Sequence, residues 1–373
     1  MKFSVNKTDF FVALQKVIGV IPTKTTIPIL GNILLRLEDE TLFVSGTDLE
    51  ISIKTSCTVY DTEEGAVAVP GRKLFEIIRE LPEIPITLAV DDSNNITLST
   101  DKGMYRFVGE TDDQFPQIGV EDAETSFSIV AEKYMRMIDK TAFAVSTDEL
   151  RTTLMGVLME IVSSELRMIA TDGHRLAKIC DKSFHGSDQM ASVILPTKAL
   201  HLVAKNFEPD AMLNISIGDS HVTLADANTT IYSKVIEGQF PNYERVIPID
   251  NDIEMVVNRE LLISSVKRVS IFSSAFSQQV KFNISPSSLV IQSEDIDVGG
   301  EAQESIPVDY SGDAINIGYN AQYIQDVLRH LDTEEVIFKL RDGGSAAIVR
   351  PSEQVEDEDL MMLIMPIKLN DTV

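Results

Sequence analysis

The sequence predicts an α+β protein of three similar domains, each a doubled strand–helix–three-strand unit. Three observations predict it. First, a short alternating strand runs into an amphipathic helix, FSVNKTDFFVALQKVI at residues 3–18. It returns as FSIVAEKYMRMIDKTA at 127–142 and MVVNRELLISSVKRVS at 255–270, at steps of 124 and 128 residues. A nearly fixed period of this kind marks an internal repeat. Second, another strand–helix unit, AVAVPGRKLFEIIRELP at 66–82, has copies in SVILPTKALHLVAKNF at 192–207 and INIGYNAQYIQDVLRHL at 315–331. Third, Gln114-Phe115-Pro116 recurs 125 residues later as Gln239-Phe240-Pro241. Proline after an apolar residue, followed by loop, reads as a domain edge. Boundaries fall near residues 124 and 252, giving domains 1–124, 125–252 and 253–373.

The elements follow in order. Phe3 and Val5 alternate as a strand, and Asn6 is a candidate N-cap with Asp9 three residues on. Phe10, Phe11, Leu14, Val17 and Ile18 recur at helical spacing and make one apolar face. Ile27–Leu37, Thr41–Ser45 and Ile51–Val59 are β-branched, apolar-rich runs that read as strands. In the second unit Leu74, Phe75, Ile77, Ile78 and Leu81 form the helix face, and Pro82 closes it. Ile86–Val90, Ile96–Ser99 and Tyr105–Val108 then read as strands joined by hairpin turns at residues 91–95 and 101–103. The six helices are predicted over 7–19, 72–80, 132–142, 197–206, 258–270 and 320–331.

At 373 residues the chain is too long for one ordinary core and suits two or three domains. Apolar residues make up 44% and charged residues 24%, the balance of a soluble globular protein. The N-terminus shows no cleavable signal pattern, and no apolar run approaches the ~20 residues that span a bilayer. Cys57 and Cys180 lie in different repeats with no metal-ligand spacing, and read as reduced core thiols of a cytosolic protein.

The formal net charge is −26, which taken whole argues against a polyanionic partner. Its distribution reverses that reading. The six predicted helices hold 14 Lys and Arg against 7 Asp and Glu, leaving 18 against 51 elsewhere. Lys133, Arg136 and Lys140 share one helix face at i, i+3, i+7, and Lys198, His201 and Lys205 repeat the pattern. Any one such stripe reads most simply as a solvated face. Its recurrence across repeat copies points further. Six helices per chain, doubled to twelve and packed roughly 8–10 Å apart, close a circle about 35 Å across. Removing one helix width of about 10 Å leaves a hole of roughly 25 Å, wide enough for duplex DNA. Lys and Arg on its wall would bind phosphates without regard to sequence.

At this point the residues resemble a known family, the bacterial DNA polymerase III β subunits or sliding clamps. ILGNILL at 29–35, SGTDLEI at 45–51, ATDGHRLA at 170–177, FPNYERVIP at 240–248 and MPIKL at 365–369 are similar to that family's segments, and the likeness covers the whole chain. The resemblance implies a head-to-tail homodimeric ring with sheets outside and helices inside, encircling DNA. It implies a non-catalytic, cytoplasmic, nucleoid-associated subunit without cofactor. Its partners would be the α subunit of the replicative polymerase, a clamp loader and other proteins carrying short clamp-binding motifs. It implies a peptide cleft between domains two and three lined by Leu154, Thr171, Gly173, His174, Arg175, Leu176, Pro241, Val246, Leu363 and Met365. Asn320, Tyr323, Pro366 and Ile367 would form a second part of that cleft. Leu, Val, Met and Pro suit a Leu or Phe anchor, with a few polar groups orienting the peptide. The implied dimer seam sets Phe107 against Ile271 and Phe272, and Lys73 against acids such as Glu304. DNA contacts fall to Lys24 by resemblance, and to Arg72, Lys133, Arg136, Lys198, Lys205 and Lys267 by helix-face position. Asn370-Asp371-Thr372-Val373 extends past the point where many members stop, and is read as disordered.

Rival classes find less support. Asp172-Gly173-His174 places an acid near a histidine, but Thr47-Asp48, Thr171-Asp172 and Ser293-Glu294 recur at steps of 124 and 122. A pair copied into every repeat reads as turn or strand-end chemistry rather than part of a triad. Asp91-Asp92 and Asp112-Asp113 lack a His or Glu partner at the spacing of a metal-dependent nuclease and read as solvated turns. The remaining alternative is a three-domain peptide-binding scaffold that never encircles DNA.

Overall fold

The structure, a computed structural model, describes residues 1–117, 123, 125–162, 165–185, 190–295 and 299–369. The first predicted boundary, near residue 124, and the extension 370–373 lie outside the described residues. In the first repeat β1 (Lys2–Asn6) feeds α1 (Lys7–Ile18) and then β2 (Asn32–Glu38), β3 (Thr41–Thr47) and β4 (Ile51–Thr58). A short strand β5 (Tyr60–Glu63) precedes β6 (Gly65–Pro70), α2 (Gly71–Glu80), β7 (Pro85–Val90), β8 (Asn95–Ser99) and β9 (Met104–Val108). The second repeat runs β10 (Thr125–Val130), α3 (Ala131–Thr141), β11 (Gly156–Val162), β12 (Glu165–Thr171), β13 (Arg175–Asp181), β14 (Ala191–Pro196), α4 (Thr197–Asn206), β15 (Met212–Ile217), β16 (His221–Ala225) and β17 (Thr229–Lys234). The third runs β18 (Ile253–Asn258), α5 (Arg259–Val269), β19 (Gln279–Ser285), β20 (Ser288–Glu294), β21 (Glu301–Pro307), the two-residue β22 (Asp309–Tyr310), β23 (Ile315–Asn320), α6 (Ala321–Arg329), β24 (Glu335–Leu340), β25 (Ala347–Pro351) and β26 (Glu358–Ile364). The doubled strand–helix–three-strand unit is therefore present three times, with each helix within two residues of its predicted ends.

The sequence did not foretell which strands pair. Within each repeat the lone strand of one half joins the meander of the other half. β1 pairs with β7 and β6 with β2; β10 pairs with β15 and β14 with β11; β18 pairs with β24 and β23 with β19. Adjoining repeats then share sheets, because β4 pairs with β17 and β13 with β26. All these pairs are antiparallel.

The chain accordingly divides into two compact units, one of Met1–Met135 with Lys198–Val235 and one of Arg136–Thr197 with Ile236–Val373. The middle repeat is split between them. In the first unit the sheets run β5-β1-β7-β8-β9 and β10-β15-β16-β17-β4-β3-β2-β6. In the second they run β14-β11-β12-β13-β26-β25-β24-β18-β22 and β21-β20-β19-β23.

Packing explains the helices. Phe10, Leu14 and Val17 of α1 are fully buried, and Leu74 and Ile78 do the same for α2. Phe11 and Phe75 stack between the two helices at 5.5 Å. Gly46 of β3 lets α1 lie close against the sheet, since a Cβ there would sit 2.5 Å from Val17 Cγ1.

Two local expectations are corrected. Pro28–Gly31 is a 3-10 turn, so the strand predicted from Ile27 starts at Asn32; Pro28 fixes φ and lacks a donor for the ladder. Asn6 does not cap α1 through its side chain, whose amide instead donates to Asp9 at 3.2 Å. In the third repeat the cap is made: Asn258 accepts from Leu261 N, and Asn320 accepts from Gln322 N and Tyr323 N.

Candidate functional site

The site builds from one turn. Between β12 and β13, Thr171 Oγ1 accepts from Gly173 N at 3.0 Å and donates to Arg175 O at 2.6 Å. Asp172 Oδ1 accepts from His174 N and Arg175 N at 2.8 and 2.9 Å. Gly173 takes φ +89°, a left-handed conformation that suits glycine. The matching turn of the first repeat is built alike: Thr47 Oγ1 accepts from Leu49 N, and Asp48 Oδ1 from Glu50 N and Ile51 N. The repeated Thr-Asp pair is turn chemistry, as its recurrence predicted. Ser293 differs, its hydroxyl donating to Gln279 O.

This turn presents His174 and Arg175 beside the end of β26. The β13–β26 register sets Leu176 opposite Leu363, and Met365 N donates to His174 O at 2.8 Å. A pocket of about 550 Å³ opens there. Its lining includes Leu154, Thr171, Gly173, His174, Arg175, Leu176, Pro241, Val246, Leu363 and Met365, all ten residues expected of its first part. Its floor belongs to a core cluster with Leu158, Ile169, Ile194, Phe240 and Met361.

Asn320, Tyr323, Pro366 and Ile367 do not line this pocket. Asn320 is spent on capping α6. Tyr323 borders the site, stacking on His174 at 6.2 Å, with the Arg175 guanidinium 4.7 Å over its ring. Burial, then the nearby Asp172, push the Tyr323 phenol above its ordinary range, so it stays a neutral hydroxyl. Ile367 N donates to Gly318 O at 2.8 Å and pins the segment after β26.

Arg175 ties these parts together. Its Nη1 lies 2.6 Å from Asp326 and its Nε 3.1 Å from Asp172, while Nη2 donates to Phe143 O at 2.9 Å. Sequence reasoning missed Asn242, Tyr243, Arg245, Ile247, Pro248, Asp250, Arg341, Gly344, Ser345 and Ala346, which complete the lining. The segment FPNYERVIP was the available signal for the first five. The residues after β24 carried none, because a hairpin turn looks the same wherever it points.

The basic residues divide. Lys24, Arg72, Lys205 and Lys267 are exposed. Arg72 also donates to Ile21 O at 3.1 Å, and Lys198 is paired with Asp48. Lys133 is half-buried. Arg136 is otherwise committed: its guanidinium grips Asp332 at 2.6 Å and Glu358 at 3.0 Å. Lys140, 4% exposed at its side chain, binds Asp139 and Asp332 at 3.1 and 2.8 Å. The α3 stripe that looked like a solvated basic face is thus an internal ion-pair network at those two positions. Burial alone would raise the Asp332 carboxyl, but hydrogen bonds from Lys140 and Arg136 hold it below its ordinary value.

At the expected seam, Ile271 and Phe272 are 76% and 42% exposed, and Lys73 is exposed. Phe107 is half-buried on β9, an edge of its sheet, and β21 is an edge of another. Glu304 on β21 already has a partner, since Arg268 grips it at 2.7 and 2.6 Å.

The cysteines are free. Burial pushes Cys57 up to about 12 and Cys180 up to about 11, so both thiols stay protonated at neutral pH. Cys57 is half-buried rather than a core residue. Asp91 caps its own hairpin, accepting from Ser93 N and Asn95 N at 2.9 Å. Among the described residues no group of His, Cys, Asp and Glu is placed to hold a metal, and no helix is long and apolar enough to cross a membrane.

The DNA polymerase III beta subunit family matches in three consecutive parts: its N-terminal domain over residues 1–119, its central domain over 128–242 and its C-terminal domain over 244–368. The chain belongs to this family of beta sliding clamps. The beta sliding clamp of Pseudomonas aeruginosa is 33% identical over 99% of this chain and 100% of its own length. That of Chlamydia muridarum is 30% identical over 100% of both chains. A sliding clamp from Pseudomonas aeruginosa, crystallised bound to griselimycin, superposes with a TM-score of 0.94 at 32% identity, covering 99% of this chain and 100% of that one. The DNA polymerase III beta subunit of Thermotoga maritima gives 0.90 at 26% identity, with the same coverage. The three-domain sliding-clamp fold, and a role in DNA replication as a clamp of DNA polymerase III, follow for this chain.

Proposed function

We propose that this clamp works as a head-to-tail homodimer that encircles duplex DNA and tethers the α subunit of the replicative polymerase through the pocket around His174. The clamp loader and other motif-bearing proteins would dock at the same place. The observation that carries the docking reading is the pocket itself: about 550 Å³, with an apolar floor of Leu154, Leu176 and Leu363 and a polar rim. That combination suits an apolar peptide anchor oriented by a few hydrogen bonds. The crystal structure of the Pseudomonas aeruginosa relative with griselimycin bound supports a ligand-holding role for this chain as well. Changing His174 and Met365 together to Ala should weaken binding of a clamp-binding peptide taken from the replicative polymerase at least tenfold. Unchanged affinity would remove the assignment.

For the ring, support comes from the open edges of β9 and β21 and from the exposed Ile271 and Phe272. Phe107 would meet these two across the seam. Lys73 would then approach Glu304 beside Arg268. Lys24, Arg72, Lys133, Lys198, Lys205 and Lys267 are the proposed phosphate contacts, with Arg136 left out because Asp332 and Glu358 hold it. With a loader present, protein should stay on closed circular DNA and run off linear ends. Equal retention on both would leave the scaffold reading standing. The repeat units 1–124, 125–252 and 253–373 are proposed as the three domains. The protein is taken to be a non-catalytic, cytoplasmic, nucleoid-associated accessory subunit with no cofactor.

A further inference from the structure

The pocket ends on a charged rim for which an apolar anchor has no use. Arg341, just past β24, sets its Nη1 2.7 Å from Asp250 and its Nε 3.1 Å from Asp342. Its Nη2 donates to Ser345 Oγ at 2.5 Å. Asp250 is placed there by its neighbour: Asn251 Nδ2 donates to Lys339 O at 2.9 Å and to Ala346 O at 2.8 Å, tacking the linker onto the β24–β25 hairpin. Arg245, exposed on the 3-10 turn Tyr243–Val246, faces the same pocket. Three arginines therefore line the pocket against one carboxylate, that of Asp250. Arg175 is consumed by Asp172 and Asp326 and Arg341 by Asp250 and Asp342, which leaves Arg245 as the lining guanidinium without an ion pair among the described residues.

This one uncommitted guanidinium, beside a second whose carboxylate partners are exposed, sits in a chain of net charge −26. An acidic segment is repelled by the molecule as a whole and attracted here. We propose that Arg341 and Arg245 select docking peptides that carry carboxylates beside their apolar anchor, and that Asp250 is a built-in competitor which an incoming carboxylate replaces on Arg341. The proposal rests on the peptide-docking reading above. Exchange is easy because the Arg341–Asp250 pair is about half exposed and its attraction is screened by solvent. Asp342 and Ser345 keep the guanidinium oriented when Asp250 lets go, so a peptide carboxylate meets a fixed fork. A lysine would offer no such planar pair of donors.

The test uses the full-length protein and two labelled peptides, each with Leu and Phe anchors, one preceded by Asp-Asp and the other by Asn-Asn. The readout is the ratio of their dissociation constants by fluorescence anisotropy, at low and high salt. Wild type should prefer the Asp peptide about two- to fivefold at low salt, as one exposed ion pair predicts, with the preference fading at high salt. Arg341→Gln should bring the ratio toward one, and Asp250→Asn should raise it. A ratio indifferent to both substitutions, with both peptides still bound, would overturn the charge selection alone. Failure of wild type to bind either peptide would instead overturn the docking reading, and this proposal with it. Both positions are exposed, and an unchanged melting midpoint certifies that each variant is folded.

Discussion

Arg175→Ala should destabilise the unit formed by Arg136–Thr197 and Ile236–Val373 by about 3 kcal/mol, although it removes no core methylene. The Arg175 side chain is 10% exposed and its partners Asp172 and Asp326 are 12% and 19% exposed. Removing one member of a buried ion pair costs about 3–5 kcal/mol, because the remaining charge stays desolvated. The low end applies. Asp172 keeps two backbone donors on Oδ1, and Asp326 keeps Gln322 at 2.6 Å and Arg329 at 3.5 Å. For a unit of this size 1 kcal/mol moves the melting midpoint by roughly 2–4 °C, so about 6–12 °C is expected. The chain has no Trp, so calorimetry is the suitable assay. Arg175→Lys should fall between wild type and Ala, keeping the charge while losing the fork. A shift under about 2 °C for Arg175→Ala would mean that both aspartates regain water freely and that Arg175 does not hold these elements together.

Changing Ile271 and Phe272 together to Asp should release monomers of 41.3 kDa from the proposed dimer, read by light scattering at micromolar concentration. The Arg268 hydrogen bond holds the Glu304 carboxyl below its ordinary value of 4.5. A lowered folded pKa adds stability above the unfolded value, which is lost as pH falls through the folded one. Wild-type and Arg268→Gln melting midpoints should therefore differ at pH 7 and converge below about pH 4.5. Gly318→Ala should loosen the segment after β26, since the new Cβ would lie 2.6 Å from Ile367 O, a backbone atom that cannot step aside alone. Faster hydrogen exchange of the Ile367 amide, with the β13–β26 amides unchanged, is the expected signature.

The helices, their buried faces and the threefold repeat were legible because each depends on residues a few positions apart. Phe10, Leu14 and Val17 announce a buried face by spacing alone. The Thr-Asp turn was legible for the same reason, since its hydrogen bonds close within four residues. Strand partnership was not legible. β1 reaches past five strands to β7, and β13 takes β26 from another repeat, because a strand's pattern shows which face is buried but not whose edge it meets. The pocket inherits that limit. Residues 170–177, 240–248 and 363–365 are far apart in sequence and meet only through the β13–β26 register and the linker across it. Charge shows the same division: composition placed lysine and arginine on the helices, but only packing decided that Arg136 and Lys140 would spend theirs on Asp332 while Lys267 kept its own in water.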